Sequence, residues 1–317
     1  MKDRRAGGSR VRTVFLGSGG FGRESLRRLH DDDAVRLVGV VTAPPRPAGR
    51  RQRVADSVID VLAQELGVTA ILRPERLRST EAVAAVIALE PDLVVLADYG
   101  QIVPASLLDL RYGALNLHPS LLPRHRGATP IPATILAGDV ETGVTLMRMD
   151  AGLDTGPIVA QERVPLDGTA TTPQVEDRLE IIAADLLARS LGPWLRGELT
   201  AQPQPMDGVT LTRQSHRQDG RLDPTRPASE LQRHVRAYQP WPGSFVDTEV
   251  GRLVVWDSSV GAVADRAPGV FGPLGLATGV GELFLHEVQP AGGKRMSWEA
   301  FLRGHPAIIG SAVVPAP

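Results

Sequence analysis

One short stretch of the chain combines residue types that can stabilise negative charge and move protons. Asn116 and His118 are separated by one residue within the apolar segment 114–118. If this segment is a β-strand, residues i and i+2 lie on one face, so the amide and the imidazole project together. An amide can donate a hydrogen bond to an oxyanion, and an imidazole can transfer a proton near neutral pH. The pair therefore predicts acid–base chemistry at a polarised carbonyl.

A second polar segment, residues 149–156, follows another apolar run and contains two carboxylates, Asp150 and Asp154, and two glycines. A carboxylate beside His118 would complete a proton-transfer pair. The chain has no cysteine, and no serine stands in a nucleophile-elbow pattern. These observations favour direct acyl transfer without a covalent enzyme intermediate. The alternative is structural: Asn116 and His118 would cap a strand end, and Asp154 would form a turn.

Strands and helices alternate over about the first 150 residues, which predicts an α/β domain with a doubly wound, mostly parallel, Rossmann-like sheet. In such sheets ligands bind at the carboxyl ends of the strands, where Asn116 and His118 would lie. The predicted strands are Val11–Gly17, Leu37–Thr42, Val68–Leu72, Leu93–Ala97, Ala114–His118 and Gly143–Met149.

The length of 317 residues favours two domains. Residues 1–10 are polar and basic and predict a flexible tail, and residues 11–199 form the expected catalytic domain. Residues 200–220 are rich in proline, glycine and polar residues and predict a linker. In residues 221–317, short β-like runs without interleaved helices predict a small OB-like β-barrel.

The segment Gly17–Gly22 matches the pattern G-x-G-x-x-G after a predicted strand. That pattern can bind a dinucleotide, but it also needs an acidic residue about 20 positions later to hold the ribose. The second predicted strand ends in residues 41–45, which include no acid. We therefore favour a glycine-rich tight turn, and a nicotinamide-dependent oxidoreductase is kept as an alternative.

Composition excludes several classes of protein. The net charge of −1 argues against a surface coated in basic charge. No apolar run reaches the ~18 residues of a membrane span, and no secretory signal is recognisable, so we expect a cytoplasmic protein that binds no membrane. No convincing metal-ligand spacing is present, and no metal is expected.

Residues 116–131 and 143–156 resemble the folate-dependent formyltransferase family, through the Asn-x-His pair, the Ser-Leu-Leu-Pro turn and the later aspartate. The resemblance implies that Asn116, His118 and Asp154 are the catalytic residues. It also implies contacts with the folate from residues of the turn and of two loops: Ser120, Leu121, Leu122, Pro123, Tyr99, Gly100, Asp150 and Gly152.

The resemblance extends over residues 46–50, 99–104, 236–242 and 292–296 to family members that act on initiator tRNA. It implies that 10-formyltetrahydrofolate is the co-substrate that donates the formyl group, and that initiator methionyl-tRNA is the partner that accepts it. We expect the protein to be a monomer. An arginine-rich loop would contact the tRNA through Arg46, Arg50, Arg51 and Arg53.

This loop departs from the family pattern at residues 52 and 57–60. The departure leaves open a formyltransferase for another amine, such as an amino-sugar nucleotide. A non-catalytic tRNA-binding scaffold is a further alternative.

Aromatic residues of the predicted barrel have two interpretations. They could stack on bases of a bound nucleic acid, or they could fill the core of the barrel. Because they recur at a spacing typical of strands, we expect them in the core. The residues are Trp241, Phe245, Trp256, Phe271 and Phe284.

Overall fold

The structure, a computed structural model, describes residues 10–48, 53–262 and 265–315. The chain divides into two compact units. The first unit takes in the described residues of 1–128, 142–164 and 176–212, and the second takes in those of 129–141, 165–175 and 213–317. The first unit therefore extends past residue 199, where the sequence predicts a domain boundary.

The strands up to residue 212 are β1 (Val11–Leu16), β2 (Val35–Val41), β3 (Arg46–Ala48), β4 (Arg53–Ala55), β5 (Ile71–Leu72), β6 (Leu93–Ala97), β7 (Ala114–His118), β8 (Arg126–Gly127), β9 (Glu141–Arg148), β10 (Ile158–Pro165) and β11 (Leu211–Thr212). The helices are α1 (Arg23–Asp31), α2 (Val58–Glu65), α3 (Thr80–Ile87), α4 (Ala105–Leu108), α5 (Pro130–Ala137) and α6 (Thr172–Leu195).

Seven of these strands form one sheet in the order β10-β9-β7-β6-β1-β2-β5. Strand β1 is parallel to β2 and β6, β2 is parallel to β5, and β6 is parallel to β7. Strand β9 runs antiparallel to β7. The predicted mostly parallel sheet is thus confirmed, and the order reverses between β1 and β6, as in doubly wound sheets.

Buried apolar strands hold this sheet in place. Every residue of β6 is buried, as expected for a central parallel strand covered on both faces. Side chains of β1, β2 and β6 pack with Leu107 and Leu77 into one apolar cluster. Serine side chains cap two helices, since Ser57 accepts from Asp60 N and Ser79 accepts from Ala82 N. The cluster and the caps fix the strand ends at which polar side chains emerge.

The glycine-rich segment 17–22 lies against the end of β6 and leads into α1 through one 3-10 turn, Gly20–Gly22. A Cβ atom on Gly19 would lie 1.6 Å from the Oδ2 atom of Asp98. A Cβ atom on Gly17 or Gly22 would lie 2.7 or 3.0 Å from the carbonyl oxygen of Ala97. A side chain at position 17 would collide with the backbone at the end of β6, and one at position 19 would require Asp98 to move. The carboxylate of Asp98 over Gly19 is also a poor neighbour for a pyrophosphate.

The second unit contains a curled antiparallel sheet of β12 (Ser244–Thr248), β13 (Gly251–Gly261), β14 (Gly275–Ala277), β15 (Glu282–Pro290) and β16 (Met296–Ser297). The helices are α7 (Ala228–Ala237) and α8 (Trp298–Gly304). Register shifts around Asp257, where β13 pairs with β15, bend the sheet. The small β-rich domain is confirmed, although the sequence did not predict α8.

Only some of the aromatic residues of this unit lie in the core, where the sequence predicts them. Phe245 and Phe271 are buried in the core, and Trp256 and Phe284 are half-buried. The prediction was wrong for Trp241, which is 57% exposed. Apolarity and spacing alone could not show this, because Trp241 lies in the turn before β12 and not in a strand.

A buried histidine makes the stability of the second unit depend on pH. His234 of α7 lies 2.8 Å from the Ser244 hydroxyl, and burial lowers the pKa of its imidazole to about 4. Above its ordinary pKa of 6.5 the ring is neutral in both the folded and the unfolded chain. As the pH falls from 6.5 towards 4, the unfolded chain gains a proton that the folded chain resists, so the folded state loses stability.

We expect His234 to lower the free energy of unfolding by about 2 kcal/mol at pH 5 relative to pH 7, because one pKa unit corresponds to about 1.4 kcal/mol. Urea unfolding at the two pH values measures this difference, and His234→Gln should remove it. The matched control is His286→Gln, since the exposed His286 also lies 2.8 Å from a serine hydroxyl. An unchanged pH difference in His234→Gln would contradict the assignment.

Among the described residues, no helix has the length and apolar character needed to cross a membrane.

Candidate active site

Strand β7 carries the predicted Asn116 and His118 to its carboxyl end. Asn116 is half-buried, and His118 is 5% exposed. The two residues lie on one face of the strand, opposite Met147 and Thr145 of the antiparallel β9. Because β9 is antiparallel to β7, its last residue, Arg148, pairs with Leu115 near the start of β7. The loop that follows β9 folds back towards His118 and brings Asp154 to it.

The hydrogen-bond partners of His118 define its tautomer. The Nε2 atom lies 3.0 Å from the carbonyl oxygen of His125. Because a carbonyl oxygen can only accept, Nε2 carries a hydrogen and donates it. The Nδ1 atom lies 3.8 Å from the Oδ2 atom of Asp154. The neutral ring thus keeps Nδ1 as its basic nitrogen, and a proton that arrives there faces a carboxylate.

Asp154 is held in a strained turn. Its φ angle is 51°, in the left-handed region that most residues avoid. Its Oδ2 atom accepts a 2.7 Å hydrogen bond from the backbone N–H of Gly127. Asp150 closes the same turn, accepting from Gly152 N at 2.9 Å and from the Thr155 hydroxyl at 2.7 Å. The structure therefore brings His118 and Asp154 together as the sequence suggests, and Asp150 orders their loop.

The Ser-Leu-Leu-Pro turn is held by hydrogen bonds within its own loop and to β9. Ser120 is fully buried, and its hydroxyl donates to the Arg124 carbonyl at 2.7 Å. Leu122 is 3% exposed, and its N–H donates to the Thr145 hydroxyl. These two side chains support the loop and offer little surface to a ligand. Leu121 and Pro123 are half-buried at its rim.

Tyr99 and Gly100 follow β6, which is the strand next to β7 in the sheet. The hydroxyl of Tyr99 is buried without a hydrogen-bond partner among the described residues, and burial raises the pKa of this phenol to about 12. A buried hydroxyl of this kind is stabilised by a polar partner, which a bound ligand could supply. The position of Tyr99 at the carboxyl edge of the sheet thus fits the folate contact implied by the sequence.

The arginine-rich loop is described in part. Strands β3 and β4 form an antiparallel hairpin in which Arg46 pairs with Ala55. The side chain of Arg46 is exposed. Arg50, Arg51 and the side chain of Arg53 lie outside the described residues.

Residues 204–212 also reach the site, which the sequence did not predict. The N–H of His125 donates to the Thr210 hydroxyl at 2.7 Å, and β11 pairs in parallel with β8. The side chain of Gln204 contacts the backbone of Asp154. No periodic pattern could reveal these contacts, because Gln204 stands between two prolines in a segment with the composition of a linker.

Within residues 10–48, 53–262 and 265–315, no group of three or more histidine, aspartate or glutamate side chains could hold a metal ion.

Comparison with known proteins identifies two family regions. Residues 11–191 match the model described as "Formyl transferase", and residues 214–306 match "Formyl transferase, C-terminal domain". The chain is 42% identical over 311 residues to the methionyl-tRNA formyltransferase of Halorhodospira halophila, which covers 96% of this chain and 99% of that protein. It is 43% identical over 302 residues to the protein of that name from Roseiflexus sp., covering 93% and 92%.

Solved structures with the same fold are more distant in sequence. The methionyl-tRNA formyltransferase of Clostridium thermocellum superposes with a TM-score of 0.53 at 15% identity, over 78% of this chain and 93% of that chain. An N-formyltransferase from Helicobacter canadensis, in complex with folinic acid and dTDP-3-aminofucose, gives a TM-score of 0.61 at 14% identity, over 88% and 98%.

Proposed function

The chain belongs to the formyl transferase family, and we propose that it transfers the formyl group of 10-formyltetrahydrofolate to the α-amine of methionine on initiator tRNA. The observation that carries this proposal is the 42% identity to a methionyl-tRNA formyltransferase over almost the full length of both chains. The pairing of His118 with Asp154 at the carboxyl end of β7 supplies the groups that the reaction needs.

In the reaction, the amine nitrogen attacks the formyl carbon, and the carbonyl oxygen gains negative charge. Asn116, half-buried on the same face of β7 as His118, would donate a hydrogen bond to that oxygen. One such donor typically lowers the barrier by about 2.7–4 kcal/mol. The carbon–N10 bond then breaks, the formyl group stays on the amine, and N10 takes up a proton.

His118 transfers the proton between these two steps, and Asp154 assists it. Nδ1 of His118 accepts the proton that the attacking amine loses, while Nε2 remains bound to the His125 carbonyl. Asp154, 3.8 Å from Nδ1, stabilises the charge on the imidazolium. The proton is then available for the leaving N10, so no net proton is consumed.

We place the folate donor at the carboxyl ends of β6 and β7 and against the loop that follows β9. Tyr99 and Gly100 lie at the end of β6, Leu121 and Pro123 form the rim after β7, and Asp150 and Gly152 lie after β9. The Tyr99 hydroxyl has no hydrogen-bond partner in the part of the chain that the structure describes, and a polar group of the pteridine would satisfy it.

We assign the tRNA to the β3–β4 hairpin and to the second unit, whose curled sheet we interpret as OB-like. Arginines such as Arg46 of this hairpin suit the phosphates of a tRNA, because the planar guanidinium group donates two parallel hydrogen bonds. Because we take charged initiator tRNA as the substrate, we expect the protein in the cytoplasm, and we propose that it acts as a monomer. Light scattering at assay concentration tests the oligomeric state.

The deciding assay measures formyl transfer from 10-formyltetrahydrofolate to methionyl initiator tRNA. We expect rapid transfer to the charged tRNA and none to uncharged tRNA. A dTDP-linked amino sugar serves as the competing acceptor. If the amino sugar were formylated and charged tRNA were not, the acceptor assignment would be wrong while the chemistry would stand.

Arg46→Ala tests the hairpin. We expect the KM for methionyl-tRNA to rise about three- to tenfold and the KM for the formyl donor to stay within twofold. The slope of log affinity against log salt should decrease by about 0.7–0.9 if one phosphate contact is lost. The matched control is Arg36→Ala, since Arg36 is exposed at the opposite end of β2. Equal effects in both variants would contradict a specific role for the hairpin.

A further inference from the structure

The segment 202–212, called the strap below, crosses the first unit beside the active site. At its start, the backbone of Gln202 pairs with Ile158 through hydrogen bonds of 2.7 and 2.8 Å. At its end, β11 pairs with β8, and Arg126 N donates to the Thr210 carbonyl at 2.9 Å. Both ends of the strap are therefore fixed, and its middle is held beside the Asp154 turn.

Gln204 lies in the middle of the strap and is half-buried, while the neighbouring prolines on both sides are exposed. Its Oε1 atom accepts from Nε and Nη2 of Arg126 at 3.0 and 2.7 Å. Its Nε2 atom donates to the carbonyl oxygens of Asp154 and Gly156, both at 2.7 Å. A guanidinium only donates and a carbonyl only accepts, so these four contacts determine the orientation of the carboxamide.

These contacts join the two segments that hold the Asp154 carboxylate. Arg126 directly precedes Gly127, whose N–H donates to Asp154 Oδ2 at 2.7 Å. The carbonyls of Asp154 and Gly156 belong to the turn in which Asp154 adopts a φ angle of 51°. A residue in this conformation needs contacts around it that compensate for the backbone strain, and Gln204 supplies two of them.

We propose that Gln204 is a positioning residue for formyl transfer, which holds the carboxylate of Asp154 at its distance from His118. This inference rests on the proposed function, because it assigns Gln204 a role in that same reaction. Displacing a catalytic group by about 1 Å can cost up to a hundredfold in rate. Loss of the Gln204 hydrogen bonds should therefore lower kcat even though Gln204 itself touches no reacting atom.

Two near-isosteric variants test the role of the Gln204 hydrogen bonds in the full-length protein. Gln204→Met removes all four contacts, and Gln204→Glu keeps an acceptor for Arg126 but loses both donors to the turn. We expect each variant to lower kcat about tenfold to a hundredfold, with both KM values within threefold and a similar melting temperature. The matched control is Gln202→Met, because the side chain of Gln202 is exposed on the same strap; it should keep the wild-type kcat.

A double variant separates positioning from general structural support. If Gln204 acts through the Asp154 carboxylate, adding Gln204→Met to Asp154→Asn should slow the enzyme by no more than twofold. Multiplied effects of the two substitutions, or a wild-type kcat in either Gln204 variant, would overturn the inference. The wild-type protein is assayed alongside with methionyl-tRNA. A wild-type protein that did not formylate methionyl-tRNA would reject the proposed function. A fully active Gln204→Met would reject only the positioning role of Gln204.

Discussion

Replacing His118 by alanine is expected to lower kcat for formyl transfer by about a thousandfold, within the 10²–10⁴ range typical of acid–base groups. The variant removes the imidazole that lies 3.8 Å from the Asp154 carboxylate, so the attacking amine must lose its proton to water. His118 is buried, but it lies at a strand end where its loss leaves the apolar core intact. Single-turnover transfer to methionyl-tRNA measures the effect without the contribution of product release.

A second substitution at this position separates proton transfer from loop support. His118→Gln keeps an N–H that can donate to the His125 carbonyl, and it has no titratable nitrogen. We expect it to be nearly as slow as His118→Ala. His30→Ala, an exposed histidine of α1, should be fully active. A His118→Gln variant within tenfold of the wild-type rate would mean that the imidazole serves structure and not proton transfer.

Asp154→Asn should lower kcat by about a hundredfold or more. The amide oxygen of asparagine can still accept from Gly127 N, and asparagine tolerates a positive φ angle better than most residues. The substitution thus keeps the turn and removes the negative charge that lies 3.8 Å from His118 Nδ1. Loss of that charge destabilises the imidazolium formed as the amine is deprotonated.

The control for charge is Asp109→Asn, an exposed aspartate of the same unit at the end of α4. We expect no change in its kcat. Binding of the folate donor to Asp154→Asn, measured by titration, should stay within threefold of wild type, because the lost carboxylate acts on the proton and not on the ligand. A large loss of donor affinity with an intact single-turnover rate would instead make Asp154 a binding residue.

The sequence predicted the parts of the site that long apolar runs position. Strands β6 and β7 match their predicted bounds, because a buried parallel strand is an uninterrupted apolar segment with few alternative structures. The alternation of residues along β7 then placed Asn116 and His118 on one face. The later aspartate was found because it follows β9 in a recognisable loop.

Other contacts depend on residues distant in the chain and left no local signal. Strands β8 and β11 have two residues each, too few for a hydrophobic period. Their pairing joins Arg126 to Leu211, and nothing in either segment identifies its partner. The composition of residues 200–220 predicts a linker, and the hydrogen bonds of Gln204 and Thr210 exist only once the unit is folded. The exposure of Trp241 was likewise decided by its place in a turn.

The position of the strap sets where the chain can be divided. A fragment that stops at residue 199 would contain Asn116, His118 and Asp154, yet it would lack Gln204 and the Thr210 hydroxyl that binds His125 N. A chimera that exchanges residues 213–317 between relatives should therefore be joined after Thr212, the last residue of the first unit. During synthesis, the proposed catalytic arrangement likewise cannot be completed until β11 has left the ribosome, well after Asp154.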